Sequence, residues 1–217
     1  MNETNKSLFL WGGVILGIIV FVGALALFGS GNAGSGSNTS LSTAISSDEH
    51  TKGATDASVA IVEYSDFQCP GCASSYPMLK QLVDTFPNDV SLTYRHYPLR
   101  QIHSNAQLAG QAAEAAGMQG KFWEMHDVLF NTQAQWSTEQ DPTAFFTRLA
   151  ESVGLDLEQF GTDLTSKEAV DRVHADASEA NKLRLPGTPS FFINGTLIDH
   201  PGSYAAFKAL VEAELAQ

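Results

Sequence analysis

Cysteine is almost absent from this chain. Its 217 residues hold 2, Cys69 and Cys72, in a single Cys-x-x-Cys. No second pair is available to staple the chain, so a disulfide-held scaffold is excluded. Positive charge is scarce too: 12 Lys and Arg stand against 24 Asp and Glu, a formal net charge of -12. Too few cations remain to neutralise a phosphate backbone, which excludes a nucleic-acid binder. Charge of either sign is missing between Leu8 and Phe28, and no internal repeat runs through the rest. Apolar residues, at 43%, suffice for the packed core of one domain.

The uncharged stretch Leu8–Phe28, rich in Leu, Ile, Val and Phe, has the ~20 residues that a helix needs to cross a bilayer. It reads as a transmembrane signal-anchor helix after a short cytoplasmic N-terminus at 1–7. Lys6, opposed by Glu3, gives only a weak positive-inside signal. The alternative is a secretory signal peptide cleaved after Ala33. The first reading puts a single-pass protein on the cell membrane with its domain outside. The second makes the domain secreted or periplasmic. Residues 29–57 have the Gly, Ser, Asn and Thr composition of a flexible linker, with a reach on the order of 30 Å.

Val59–Tyr64 is a short apolar run with the character of a buried strand. Cys69–Phe86 reads as a helix with Pro70 at its first position, where a missing N–H costs nothing. Val90–Tyr97 reads as a second strand, with Leu92 alternating against polar neighbours. Helical patterns follow over Ser104–Ala116, Lys121–Asn131, Pro142–Val153, Leu157–Leu164 and Ser166–Leu183. Two short strands, Ser190–Ile193 and Thr196–Ile198, flank Asn194-Gly195, a strong hairpin signal. Tyr204–Ala216 closes the chain as a helix. This order describes an α/β domain with a mixed sheet, helices on both faces and a helical insertion.

Cys69-Pro70-Gly71-Cys72 stands between a strand and a helix, and that context gives it chemical meaning. At a helix N-terminus the free N–H groups and the macrodipole stabilise a thiolate. Cys69 is therefore expected as the exposed attacking sulfur, with a lowered pKa. Cys72, three residues on, shares its helical face and is expected as the buried resolving sulfur. Two other readings of the motif are half of a zinc site and an inert bridge. Zinc needs two more ligands, and His50, His96, His103, His126, His174 and His200 are scattered. No metal or cofactor is expected. Phe122 and Trp123 read as packing residues, His126 as a half-buried helical residue, and His96 as a strand residue near the site.

The segment Glu63–Cys72 resembles the active-site segment of the DsbA-like thioredoxin-fold proteins of bacteria, including membrane-tethered homologues. Tyr94–Leu99, Gly120–His126 and Gly187–Gly195 add to the resemblance, which spans the chain from about Thr51 onward. It implies a thioredoxin fold over 58–217 with a helical subdomain inserted at about 100–184. It further implies that Thr188-Pro189 forms a loop with a cis proline facing the cysteines and pairing with a substrate strand. Glu63 matches a buried acid beneath the site, with a raised pKa, able to take the proton of Cys72; the alternative is an exposed strand-end glutamate. Pro70 and Gly71 would support the site, and Pro77 would shape the helix. Proteins most like DsbA itself carry a histidine at the position of Gly71, so oxidising strength is open here.

The function so implied is thiol–disulfide oxidoreduction that introduces disulfides into reduced or misoxidised exported proteins. The implied partner is a quinone-linked membrane reoxidase of the DsbB or vitamin-K-epoxide-reductase-like type. A reductase or isomerase of the same fold is the alternative within this chemistry. A redox-independent binding or chaperone module is the alternative outside it.

Overall fold

The computed structural model describes residues 39–217. The expected N-terminus at 1–7, the anchor at 8–28 and the first part of the linker lie outside the described residues. Among those described, no helix is long and apolar enough to cross a membrane.

The chain runs through β1 (Thr51–Gly53), β2 (Val59–Ser65), α1 (Pro70–Thr85) and β3 (Val90–His96). Six helices follow: α2 (Ala106–Gly117), α3 (Phe122–Asn131), α4 (Gln133–Trp136), α5 (Thr143–Ser152), α6 (Leu157–Asp163) and α7 (Lys167–Lys182). The hairpin β4 (Ser190–Ile193) and β5 (Thr196–Ile198) and the helix α8 (Tyr204–Leu215) complete it. The strands form one sheet in the order β1-β3-β2-β4-β5. Only β2 and β3 are parallel; every other neighbouring pair is antiparallel.

Alternation along β2 decides what lies under α1. Ile61 packs with Leu79 and Leu82 of α1 and with Phe207 and Val211 of α8. Val62 and Tyr64 pack on the opposite face with Ala180 and Leu185. The same period turns Glu63 and Ser65 toward α1. That helix buries Cys72, Ser75, Leu79 and Leu82 along one stripe, and Pro87 follows its end. Asn194 and Gly195 both have positive φ, 47° and 81°, as a two-residue hairpin turn requires.

Three expectations are corrected. The flexible linker read over 29–57 does not extend through its described part. Leu41 N–H donates to Gly195 O (2.9 Å), Leu197 N–H to Thr39 O (2.9 Å), and Thr51–Gly53 pairs with β3. The cause is Arg95, only 2% exposed, whose guanidinium donates to both Glu49 oxygens (2.7 and 2.9 Å), to Glu179 (2.9 Å), to Tyr64 Oη (2.9 Å) and to Thr43 O (3.3 Å). The polar residues of β3, read as alternating, are buried like the rest of that strand because helices and this ion network cover both faces. His126, read as half-buried, is buried among Phe67, Tyr76, Tyr94 and Trp123.

Candidate active site

Cys69 is the N-cap of α1, with extended backbone (φ −73°, ψ 123°), and Pro70 follows at the first helical position. No side chain closes a hydrogen bond onto the free N–H groups of this terminus. The N–H groups of Gly71 and Cys72 nonetheless act on the Cys69 sulfur and favour its thiolate. Cys69 is 8% exposed and Cys72 0%, and both are free thiols. The hydrogen bond from the Cys72 thiol, joined by Thr188 and the two backbone N–H groups, outweighs burial and brings Cys69 down to about 5. Burial pushes Cys72 the other way, well above the ordinary thiol range, and its bond to Cys69 and the charge of Glu63 add to the rise. One sulfur is thereby an anion near neutral pH and the other a protonated thiol.

The Thr188–Pro189 peptide is cis, and the Thr188 carbonyl lies 3.4 Å from Cys69 Sγ. A Cβ at Gly71 would meet Pro189 Cδ at 3.3 Å and Cys69 Sγ at 3.6 Å. The predicted residues Cys69, Pro70, Gly71, Cys72, Thr188 and Pro189 therefore lie together at the start of α1, with Cys72 fully buried. Glu63 lies beneath it, 2% exposed, with one hydrogen bond, from Ser65 Oγ (2.9 Å). Burial raises its pKa from 4.5 to about 8, so it is a protonated acid at neutral pH. The strand-end reading of this residue fails because β4 pairs alongside and α1 lies above.

Several neighbours escaped the sequence reading. Asp66 N–H points at Cys72 Sγ (3.5 Å), and its carboxylate accepts from Gln68 N–H (2.7 Å), Leu99 N–H (2.8 Å) and His103 Nδ1 (2.7 Å). Gln133 Nε2 donates to the carbonyls of Phe67 (2.7 Å) and Cys69 (3.0 Å), so α4 braces the start of α1. The one advance signal for these groups was their place in or near the quoted motifs. His96 is drawn away from the sulfurs: its Nε2 lies 2.7 Å from Glu114 Oε1. A broad recess lined by Asp48, His50, Glu114 and Arg172 includes neither cysteine. Cys69, expected to be exposed, is itself buried because Gly71 and the Thr188-Pro189 loop close over its sulfur, and the exposed Pro70 and Gly71 form the surface beside it.

A family model described as thioredoxin matches residues 46–213. The chain belongs to the thioredoxin family. Among solved structures, BdbD from Bacillus subtilis superposes with a TM-score of 0.68 at 24% identity, covering 78% of this chain and 94% of that one. A thioredoxin-like oxidoreductase from Silicibacter pomeroyi DSS-3 gives 0.67 at 29% identity, covering 79% and 95%. These likenesses support the thioredoxin fold, here a mixed sheet with a helical insertion, and together with the family they support a thiol–disulfide oxidoreductase. Among curated sequences, a Na(+)/H(+) antiporter NhaA 1 of Salinispora arenicola is 40% identical over 156 residues, 72% of this chain and 23% of that protein. A Na(+)/H(+) antiporter NhaA 3 of Salinispora tropica is 37% identical over 168 residues, 77% and 25%. The chain spans about a quarter of the length of these curated relatives.

Proposed function

We propose that this protein oxidises thiols of exported proteins through Cys69 and Cys72. The observation that carries the reading is the split between two sulfurs on one helix turn, one held at about 5 and the other pushed up. A low pKa at the attacking cysteine stabilises the reduced form and makes the disulfide a better oxidant. Gly71 supplies no histidine, but the Cys72 thiol, Thr188 and two backbone N–H groups act on the same sulfur.

In the reaction a substrate thiolate attacks Cys69 Sγ of the oxidised pair. The Cys69–Cys72 bond breaks, and its electron pair leaves on Cys72 Sγ. Glu63, protonated at neutral pH, gives that sulfur a proton. A second substrate thiolate then attacks the mixed disulfide and releases Cys69 as the thiolate its surroundings favour. The substrate gains a disulfide and the enzyme is left as a dithiol. The Thr188 backbone is the place for a substrate strand to pair.

Reoxidation is assigned to a quinone-linked membrane protein of the DsbB or vitamin-K-epoxide-reductase-like type. An anchor at 8–28 would hold the domain near it. The antiporter activity named for the longer relatives is not carried over to this chain. Equilibration with glutathione tests the direction: a potential above about −180 mV is expected, and one below about −250 mV would make the protein a reductase. Cys69→Ala should abolish oxidation of a reduced unfolded substrate; activity that survives it would point to a binding module.

A further inference from the structure

Tyr94 presents an anomaly directly beneath the sulfurs. It is 1% exposed, and its hydroxyl has no hydrogen-bond partner. Most buried hydroxyls find partners, because burying one unpaired is unfavourable. The ring is held firmly, stacked on Phe67 at 4.9 Å between centroids and edge-on to His126 at 5.3 Å. Tyr94 is the register partner of Glu63 across the parallel β2–β3 pair, so both side chains rise on the α1 side. Glu63, Cys72 and Asp66 all act on its hydroxyl electrostatically. Ser65, the other hydroxyl there, donates to Glu63 at 2.9 Å and acts on the Tyr94 hydroxyl without closing a hydrogen bond to it.

This arrangement is idle while Glu63 and Cys72 are both neutral. It stops being idle when Glu63 has given up its proton. A buried carboxylate with one hydrogen bond then shares the α1 side of the sheet with an unpaired donor on the neighbouring strand, and a charge-assisted bond to it would be about twice as strong as a neutral one. We propose that Tyr94 is a positioning residue for the exchange reaction, its hydroxyl donating to the Glu63 carboxylate formed as Cys72 is protonated. The inference rests on the proposed role of Glu63. The electron balance is that of the exchange already described: the proton moves from Glu63 to Cys72, and Tyr94 keeps its own. A donor engaged only once charge appears favours the proton-transfer step over the resting state.

Other titratable groups face this pocket: Lys52 of β1, Asp66, Cys69, Cys72, His96 and His126. The test must therefore isolate the Tyr94–Glu63 pair. In the full chain, Tyr94→Phe should slow oxidation of a reduced peptide about tenfold. In a Glu63→Gln background the same change should do nothing further. The carboxyl of Glu63, followed by carbon NMR in the reduced protein, should titrate roughly one pH unit higher in Tyr94→Phe. The melting temperature should hold or rise, since an unpaired hydroxyl has been removed. Unchanged rate and unchanged titration would overturn the inference, and so would a lower melting temperature, which would show that the hydroxyl already has a structural partner. Failure of the proposed function looks different: the parent chain itself would not oxidise the peptide. The NMR titration would still decide the pairing.

Discussion

Glu63 and Glu114 are both buried, at 2% and 6% exposure, yet they have opposite chemistry. Glu63 sits in β2 under the cysteines with a single hydrogen bond, from Ser65 Oγ, and burial raises it from 4.5 to about 8. Glu114 in α2 is also pushed up by burial, but it accepts from His50 Nε2 (2.9 and 3.0 Å) and His96 Nε2 (2.7 Å). Those bonds prevail and hold it at about 2. Burial therefore does not by itself make an acid reactive. The number of donors aimed at it decides whether it stores a proton or clasps the fold.

The largest expected effect comes from breaking the clasp. Glu114→Ala leaves two histidines facing an empty position and should cost about 3–5 kcal/mol in urea denaturation. Exchange activity per folded molecule should stay near that of the parent. Glu63→Gln should reverse the pattern. Stability equals that of the parent below pH 4.5 and exceeds it at neutral pH, while the rate of substrate oxidation at neutral pH falls about a hundredfold, read by stopped-flow fluorescence.

The pH dependence of stability separates the two acids by sign. Between 4.5 and about 8 Glu63 is protonated when folded and ionised when unfolded. Its contribution to stability therefore falls as pH rises through that window, by at most about 1.4 kcal/mol per unit. Glu114 stabilises above 4.5, and its contribution is lost as pH drops from 4.5 toward about 2. Denaturation midpoints against pH should lose the alkaline slope in Glu63→Gln and the acid slope in Glu114→Ala.

Smaller changes sharpen the contrast. His50→Ala removes one donor and leaves His96 on Glu114, for a loss of about 1–2 kcal/mol. Part of that loss is the stacking of His50 on Phe122 at 3.5 Å. Smallest is Gly71→His. Its side chain starts 3.6 Å from Cys69 Sγ and should lower the thiolate pKa by less than about one unit, read by thiolate absorbance. No lowering would mean that the contact with Pro189 turns the ring away.

The contrast also shows how much the sequence could reveal. Local signals worked where local geometry decides. Asn194-Gly195 marked its hairpin, Pro70 marked the start of α1, and the Cys-x-x-Cys marked the sulfur site. Glu63 could be anticipated from the resemblance, since its place six residues before Cys69 matches the buried acid of thioredoxin-like proteins. The clasp could not, since His50 and His96 reach Glu114 across 64 and 18 positions. Arg95 finds Glu49 and Glu179 across 46 and 84, which is why residues 39–53 looked like linker and fold as part of the domain. Helix α4, with 4 residues, is too short to show a period, though its Gln133 braces Cys69.

The central claim is the division of labour between the two sulfurs, and alkylation followed by mass spectrometry tests it most directly. In the reduced protein, iodoacetamide should modify Cys69 with a pH midpoint near about 5 while Cys72 stays unmodified through neutral pH. Two cysteines reacting together, each with the midpoint of an ordinary thiol near pH ~8.5, would contradict it.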